Sequence, residues 1–440
     1  MRAHLTLILL ASAIACATGA VAAEPPSRPG VDAPELARLG SFRVGVRTLV
    51  LLDSENPDGH ALGTSGGVPP KGNRRLTVEL WYPADVAPTA QPVTYTATLP
   101  SEPPAPPAQF SIPGLAVRDA KPASGRYPLV VVSHGYSNAP VAMSWLTENL
   151  ASKGYVVAAI EHDDPPITDR TGFPEVLLRR PLDVAFVARS LAASLGASGL
   201  LAPDRVALIG YSMGGYGVLT SAGATLDAAG PLGRFVGAEL IAPYARGGAK
   251  LEAVRVPGVR AVVALAPAGG GALAAWGAEG LRALKTPVLL IAGDEDRTVD
   301  YHTGARAFFD AATNATRYLL TYRNGGHAIG LDSAPEGMRQ KLWDQDWFED
   351  PVWRKDRIIA INLHMITAFL DRYVKDDESR AAYLEVPVAD AQAGRWPAPG
   401  PAHYGELSPG TAPITVWKGF QDRHAAGVTL EERSAGGEAR

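Results

Sequence analysis

The stretch Val206-Ala207-Leu208-Ile209-Gly210-Tyr211-Ser212-Met213-Gly214-Gly215 joins a short apolar run to a serine flanked by glycines. Val206 to Ile209 reads as a buried strand, and Tyr216 to Ala222 can open a helix. Gly210-x-Ser212-x-Gly214 then fills the turn between them. Glycine at 210 and 214 removes two Cβ atoms, so strand and helix can approach closely while Ser212 takes a strained backbone. The strain would hold the hydroxyl out at the end of a sheet. It would also leave the Met213 N–H at a helix N-terminus, where a negative oxygen is stabilised.

Outward from this turn, apolar runs alternate with helical periodicity. Phe42–Leu52 and Arg75–Tyr82 read as early strands, and the Gly-, Pro- and Asn-rich Asp53–Asn73 as the loop between them. Residues 84–125 hold many prolines, Pro103-Pro104 and Pro106-Pro107 among them, and read as a long surface connection. Pro128–Ser133 is a buried strand ending in His134-Gly135-Tyr136-Ser137. A helix over Val141–Lys153, a strand over Tyr155–Ile160 and a helical stretch over Pro174–Ser194 follow, with Pro181 marking where that last helix would begin. Beyond the serine turn come strands at Val259–Ala266 and Thr286–Ala292, a helix at Tyr301–Ala312, a last strand at Arg317–Thr321 and a strong amphipathic helix at Ile358–Val374. The alternation predicts an α/β fold, a mostly parallel sheet with helices on both faces. Sites in such sheets form at the carboxyl ends of the strands.

A serine hydroxyl needs a base within hydrogen-bond reach, and the base needs an orienting acid. Two loops offer these. Asp294-Glu295-Asp296 follows the strand ending at Ala292, and Asn324-Gly325-Gly326-His327 follows the next strand in the same way. Both arrive at the edge where Ser212 lies, in the chain order Ser, Asp, His of α/β-hydrolases. Ser212, Asp296 and His327 are the expected nucleophile, acid and base, with Asp294 the second choice of acid. The second oxyanion donor should come from the loop after Ser133, with the Tyr136 N–H paired to that of Met213. His134 reads as a packed residue that shapes this loop, and His364 as structural. Trp343, Trp347, Phe348 and Trp353 could wall a substrate or fill a core.

Glu161-His162-Asp163-Asp164 carries metal-ligand residue types, but side by side rather than one helical turn apart, so no metal is expected. No phosphate-binding glycine pattern follows a strand, so no cofactor is expected either. The 440 residues carry a net charge of −4, which gives no reason to expect nucleic acid.

Residues 1–23 have the polar start, apolar core and small-residue end of an export signal, giving a periplasmic or secreted protein. The single cysteine, Cys16, lies inside it, so the mature chain would hold no disulfide; lipid anchoring there is the less favoured alternative. No later stretch is apolar and long enough to span a bilayer. Residues 24–41 read as a flexible leader and 42–375 as one catalytic domain, with 223–258 a possible small insertion over the site. Residues 376–440 read as a C-terminal extension packed on the domain or trailing it, with a linker at Pro397–Pro401.

Pro128-Leu-Val-Val-Val-Ser-His-Gly135, Ala158-Ala-Ile-Glu-His162, Gly210-Tyr-Ser-Met-Gly-Gly215 and Gly325-Gly-His327 resemble the bacterial predicted dienelactone hydrolases, as do Trp81-Tyr82-Pro83 and Trp353–Ile358. This α/β-hydrolase branch also holds platelet-activating-factor acetylhydrolases and, further off, cutinase-like polyester hydrolases. The resemblance spans roughly 42–375 and implies a triad at Ser212, Asp296 and His327 with an oxyanion hole at Tyr136 and Met213. Dienelactone hydrolases proper use cysteine where this chain has Ser212, which argues against dienelactone as substrate. The expectation is an exported serine hydrolase cleaving small-molecule or lipid carboxylic esters through an acyl-enzyme. Phospholipid or polyester hydrolysis, or a non-catalytic binding role, are the alternatives.

Overall fold

Tyr127–Ser133 is buried at every position, as a strand flanked on both sides and covered on both faces must be. The computed structural model describes residues 33–55, 74–99, 106–166, 170–335, 338, 347–396, 413–421 and 423–436. The expected export signal with Cys16, the leader up to residue 32, the loop from residue 56 to 73, Pro103-Pro104, Trp343 and Pro397–Pro401 lie outside them.

In chain order the strands are β1 (Arg43–Asp53), β2 (Arg74–Asp85), β3 (Thr94–Leu99), β4 (Ala108–Pro113), β5 (Val117–Arg118), β6 (Lys121–Pro122) and β7 (Tyr127–Ser133). Then α1 (Ser144–Ser152), β8 (Val156–Glu161), α2 (Phe173–Ala197), β9 (Leu201–Tyr211) and α3 (Met213–Ala222) alternate. Two short helices, α4 (Pro231–Val236) and α5 (Ala238–Ile241), lead to β10 (Val259–Leu265). The chain continues through α6 (Gly277–Arg282), β11 (Val288–Gly293), α7 (Ala307–Ala311), β12 (Arg317–Tyr322), α8 (Lys355–Val374), α9 (Ala381–Leu384) and β13 (Val428–Arg433).

Among the described residues one sheet runs β13-β12-β11-β10-β9-β7-β8-β2-β1-β5, with β6 added on β2. From β12 to β8 every pairing is parallel; β2 and β13 join antiparallel at the two sides. Side chains alternate between two cores. Val130 and Val132 of β7 pack with α1 and α8, whereas Leu129 and Val131 pack with α2 and α3. This is an α/β fold with a mostly parallel sheet and helices on both faces, as the alternation predicts.

Several local expectations are corrected. The segment 84–125 is not only connection: β3 and β4 form an antiparallel hairpin. Thr94, Thr96 and Thr98 are exposed while Tyr95 and Leu99 are buried, and the Tyr95 hydroxyl links Trp81 Nε1 (2.7 Å) to the Glu148 carboxylate (2.6 Å). Arg317–Tyr322 is not the last strand, because β13 adds to it from Val428↔Tyr322 to Arg433↔Arg317. The helix expected at Tyr301–Ala312 is broken by non-helical backbone at Gly304. The possible small insertion at residues 223–258 is not among the corrections: this stretch holds α4, α5 and short turns, with α4 leaning on α2.

Pro181 does not begin α2 but lies inside it. Proline cannot donate to the carbonyl four residues back, here that of Leu177, and its ring crowds that carbonyl. The buried Tyr216 hydroxyl of α3 donates to the Leu177 carbonyl instead, at 2.9 Å, so the break in one helix becomes a tie between two. Tyr216→Phe should leave that carbonyl buried without a donor and cost about 1–3 kcal/mol. Urea unfolding of the variant beside the wild type measures this, and equal midpoints would contradict it.

Candidate active site

Ser212 has φ 52° and ψ −115°, a backbone that side chains rarely adopt. Its surroundings impose it. A Cβ on Gly214 would lie 1.9 Å from the Ser133 carbonyl oxygen, and one on Gly210 would lie 2.2 Å from that of Gly214. The end of β9 and the start of α3 are therefore pressed together and against β7. The Ser212 N–H donates to the Leu265 carbonyl at 2.9 Å, and its own carbonyl accepts from Ala268 at 2.9 Å. Backbone bonds on both sides thus lock the turn, and Met213 opens α3 directly behind the hydroxyl.

His327 lies on the loop after β12. Its Nε2 is 3.0 Å from Ser212 Oγ, and its Nδ1 is 2.8 Å from Asp296 Oδ2. A carboxylate only accepts, so Nδ1 carries the proton and Nε2 faces the serine hydroxyl as an acceptor. Asp296 is 4% exposed, and its other oxygen accepts the N–H groups of Thr298 (2.9 Å) and Val299 (3.2 Å). Asp294 instead accepts the Asn324 N–H at 2.5 Å, tying the two loops together. It is Asp296 that meets His327.

The histidine loop is anchored residue by residue. Asp350 accepts the Gly326 N–H at 2.6 Å, and the Tyr211 hydroxyl donates to the His327 carbonyl at 3.1 Å. From α8, Lys355 Nζ donates to the Ala328 carbonyl, and Asn362 donates to that of Ile329 at 2.9 Å. Trp145 Nε1 of α1 takes the Gly330 carbonyl at 3.1 Å.

Ser212 opens on a cavity of about 500 Å³, lined mainly by apolar groups that include Phe173, Met213, Leu273, Val299 and Trp347. Gly135 and Tyr136 line it too, so both expected oxyanion donors, Tyr136 and Met213, border the same space as the serine. Of the expected aromatic wall, Trp347 lines the cavity, Phe348 packs edge-on to Phe110 in the core, and Trp353 packs on Tyr322 and donates to the Arg323 carbonyl. His364 is buried between the chain's two end segments, accepting the Leu36 N–H (3.1 Å) and donating to the Lys418 carbonyl (3.2 Å). Burial holds its imidazole down to about 3, so it stays neutral.

A second Ser-His-Asp chain lies behind the first. Ser133 Oγ is 2.8 Å from His162 Nε2, and His162 Nδ1 is 2.8 Å from Asp183, which is paired in turn with Arg74 at 2.7 Å. Ser133 is 0% exposed and His162 2%, so no ester can reach them. Burial takes His162 down to about 3. Burial works against ionisation of Asp183 as well, but Arg74 and the His162 bond outweigh it and hold the carboxyl below its usual range. In the Glu161–Asp164 stretch His162 is thus spent on Ser133 and Asp183, and Asp164 on Arg180. Among the described residues no three His, Cys, Asp or Glu side chains gather as metal ligands.

The structure is similar to that of a ferulic acid esterase from Streptomyces cinnamoneus, with a TM-score of 0.50 and 21% identity over 78% of this chain and 94% of that one. This is the α/β-hydrolase fold. Within it, residues 116–239 match the family model described as PETase: PET hydrolase-like, a stretch that holds β7, the Tyr136 loop and Ser212. That match is to the polyester-hydrolase side of the resemblance rather than to the dienelactone hydrolases named first. No curated protein matches the sequence. Among the described residues of this hydrolase fold, no helix is long and apolar enough to cross a membrane.

Asp332, just beyond the histidine loop, accepts the Ser144 hydroxyl (2.7 Å) and the Trp145 N–H (3.2 Å), and burial pushes its carboxyl from 3.8 up to about 7. A folded pKa above the unfolded one means that the native state binds this proton more tightly. The stability it contributes is full below pH about 4 and is lost as pH rises through about 7. Asp332→Asn should remove this decline. Urea unfolding from pH about 4 to 8 should show wild-type stability falling relative to the variant, and parallel curves would refute the assignment.

Proposed function

We propose that this chain is an exported serine esterase that cleaves carboxylic esters through an acyl-enzyme. The observation that carries the reading is the hydrogen-bonded run Ser212–His327–Asp296 at the mouth of an apolar cavity. Ser212 Oγ attacks the acyl carbon while His327 Nε2 takes its proton, and His327 then gives that proton to the leaving alcohol. Asp296 holds the imidazole in the required tautomer and stabilises the imidazolium. The Met213 and Tyr136 N–H groups receive the oxyanion, each worth about 10²–10³ in rate. Water returns the enzyme along the same path.

A polyester is the second reading. Supporting it are the family match and a line of edge-on aromatics: Tyr136 to Phe173 at 5.2 Å and Phe173 to Phe235 at 6.0 Å, ending at Phe235, which is 49% exposed. The motif-level likeness to dienelactone hydrolases and acetylhydrolases supports small or lipid esters instead. Export rests on residues 1–23 and is tested by the N-terminus of the protein recovered from outside the cytoplasm.

A p-nitrophenyl ester series from acetyl to long acyl chains, and release of soluble product from an amorphous aromatic polyester film, separate these substrates. Ser212→Ala should lower turnover by about 10⁴-fold or more, and Asp296→Asn by about 10³–10⁴. Ser133→Ala should keep its labelling by a fluorophosphonate probe, whereas Ser212→Ala should lose it. Probe attached to Ser133, or full activity in Ser212→Ala, would sink the mechanism; an unlabelled, inactive wild type would leave a binding protein.

A further inference from the structure

Arg180 of α2 is 1% exposed, yet its guanidinium is directed at the backbone of the loop after β7. Nη1 donates to the His134 carbonyl and, at 3.2 Å, to Ser133 Oγ. Nη2 donates to the Gly135 carbonyl at 3.3 Å and pairs with the Asp164 carboxylate. Asp164 accepts the Ser137 N–H at 2.9 Å, and His134 Nδ1 adds a second donor, 2.7 Å from the Gly135 carbonyl. One buried ion pair therefore grips the loop on both sides of Tyr136.

The consequence lies in a single peptide unit. The Gly135 carbonyl and the Tyr136 N–H share a planar trans peptide and point in opposite directions. Holding that carbonyl towards Arg180 turns the N–H the other way. Gly135 and Tyr136 line the cavity onto which Ser212 opens, and a Cβ on Gly135 would lie 3.4 Å from Ser212 Cβ. We propose that Arg180, braced by Asp164, is a positioning residue that aims the Tyr136 N–H at the oxyanion formed on Ser212. This rests on the esterase reading above.

The buried Ser133–His162–Asp183 chain then has a use. Arg74 donates to Asp183, His162 Nδ1 donates to Asp183, and the Ser133 hydroxyl is left to donate to His162 Nε2. Ser133 Oγ thus presents a lone pair to Arg180 Nη1. The chain has the connectivity of a catalytic triad but ends on a guanidinium rather than on a substrate. It fixes the fork so that both nitrogens face the loop. The planar fork suits this role, since two separate nitrogens serve four acceptors, Ser133 Oγ, the two successive carbonyls and the carboxylate, whereas a lysine offers three donors from a single nitrogen.

The test uses the full-length protein, with wild-type turnover and its loss in Ser212→Ala established first. Arg180→Met, Arg180→Lys and Asp164→Asn are then compared on one p-nitrophenyl ester and on a trifluoromethyl ketone, which binds as the tetrahedral oxyanion. Folding is checked by circular dichroism and melting. In Arg180→Met kcat should fall about 10- to 100-fold with KM within about twofold, because only the transition state carries the oxyanion. Affinity for the ketone should fall by the same factor as kcat/KM. Arg180→Lys should recover part of the loss. Should Arg180→Met fail to fold, near-isosteric Asp164→Asn carries the test, with kcat down several-fold and KM unchanged. Folded variants with wild-type kcat, with the loss in KM alone, or with unaltered ketone affinity would overturn the assignment while leaving the esterase standing. An inactive wild type would overturn the esterase reading itself.

Discussion

The close contact between the Gly214 backbone and the Ser133 carbonyl is the constraint on which the candidate site depends. No side chain fits there, so the start of α3, the end of β9 and the end of β7 are closer together than any other residue would allow. The positive φ of Ser212 is a product of that closeness rather than a separate device. Because β7 and β9 are neighbours in the sheet, the loop that leaves β7 has to pass directly beside the serine.

Each face of the sheet then holds one half of the site. On one side α2 supplies Arg180, which grips the loop after β7. On the other, α8 supplies Lys355 and Asn362, which take successive carbonyls of the loop after β12. Both helices act through buried polar side chains on backbone carbonyls, leaving the reacting side chains free to face the cavity. Loops carry the chemistry because they reach one edge of the sheet, and they are rigid enough to do so because helices behind them absorb their unpaired polar groups.

Much of this was legible in the chain. Val206–Gly215 contains its own explanation, since apolar run, glycine, serine and glycine are contiguous, and Gly325-Gly326-His327 and Asp294–Asp296 each follow a recognisable strand. The hairpin of β3 and β4 was hidden because Pro103-Pro104 and Pro106-Pro107 dominate the region, although Thr94–Leu99 alternates. Pro181 misled because its cost depends on a hydroxyl thirty-five residues on, at Tyr216. Arg180 could not be seen at all. Its partners at 133, 134, 135 and 164 come together only when β7, β8 and α2 are in place, and nothing about an arginine in an amphipathic helix announces that it points inward.

The strand β13 gives the sheet a border of a particular kind. It covers the open side of β12, and its outward end is charged: Glu431 meets Arg306, Arg433 meets Asp310, and Glu432 meets the Tyr318 hydroxyl. An uncovered β12 would offer a row of vacant amide and carbonyl groups beside an apolar, all-buried strand, a template for other chains. Closing it with a short charged strand makes the border a poor seed for intermolecular stacking. The edge of the sheet is thus guarded by a segment that contributes no side chain to the candidate site.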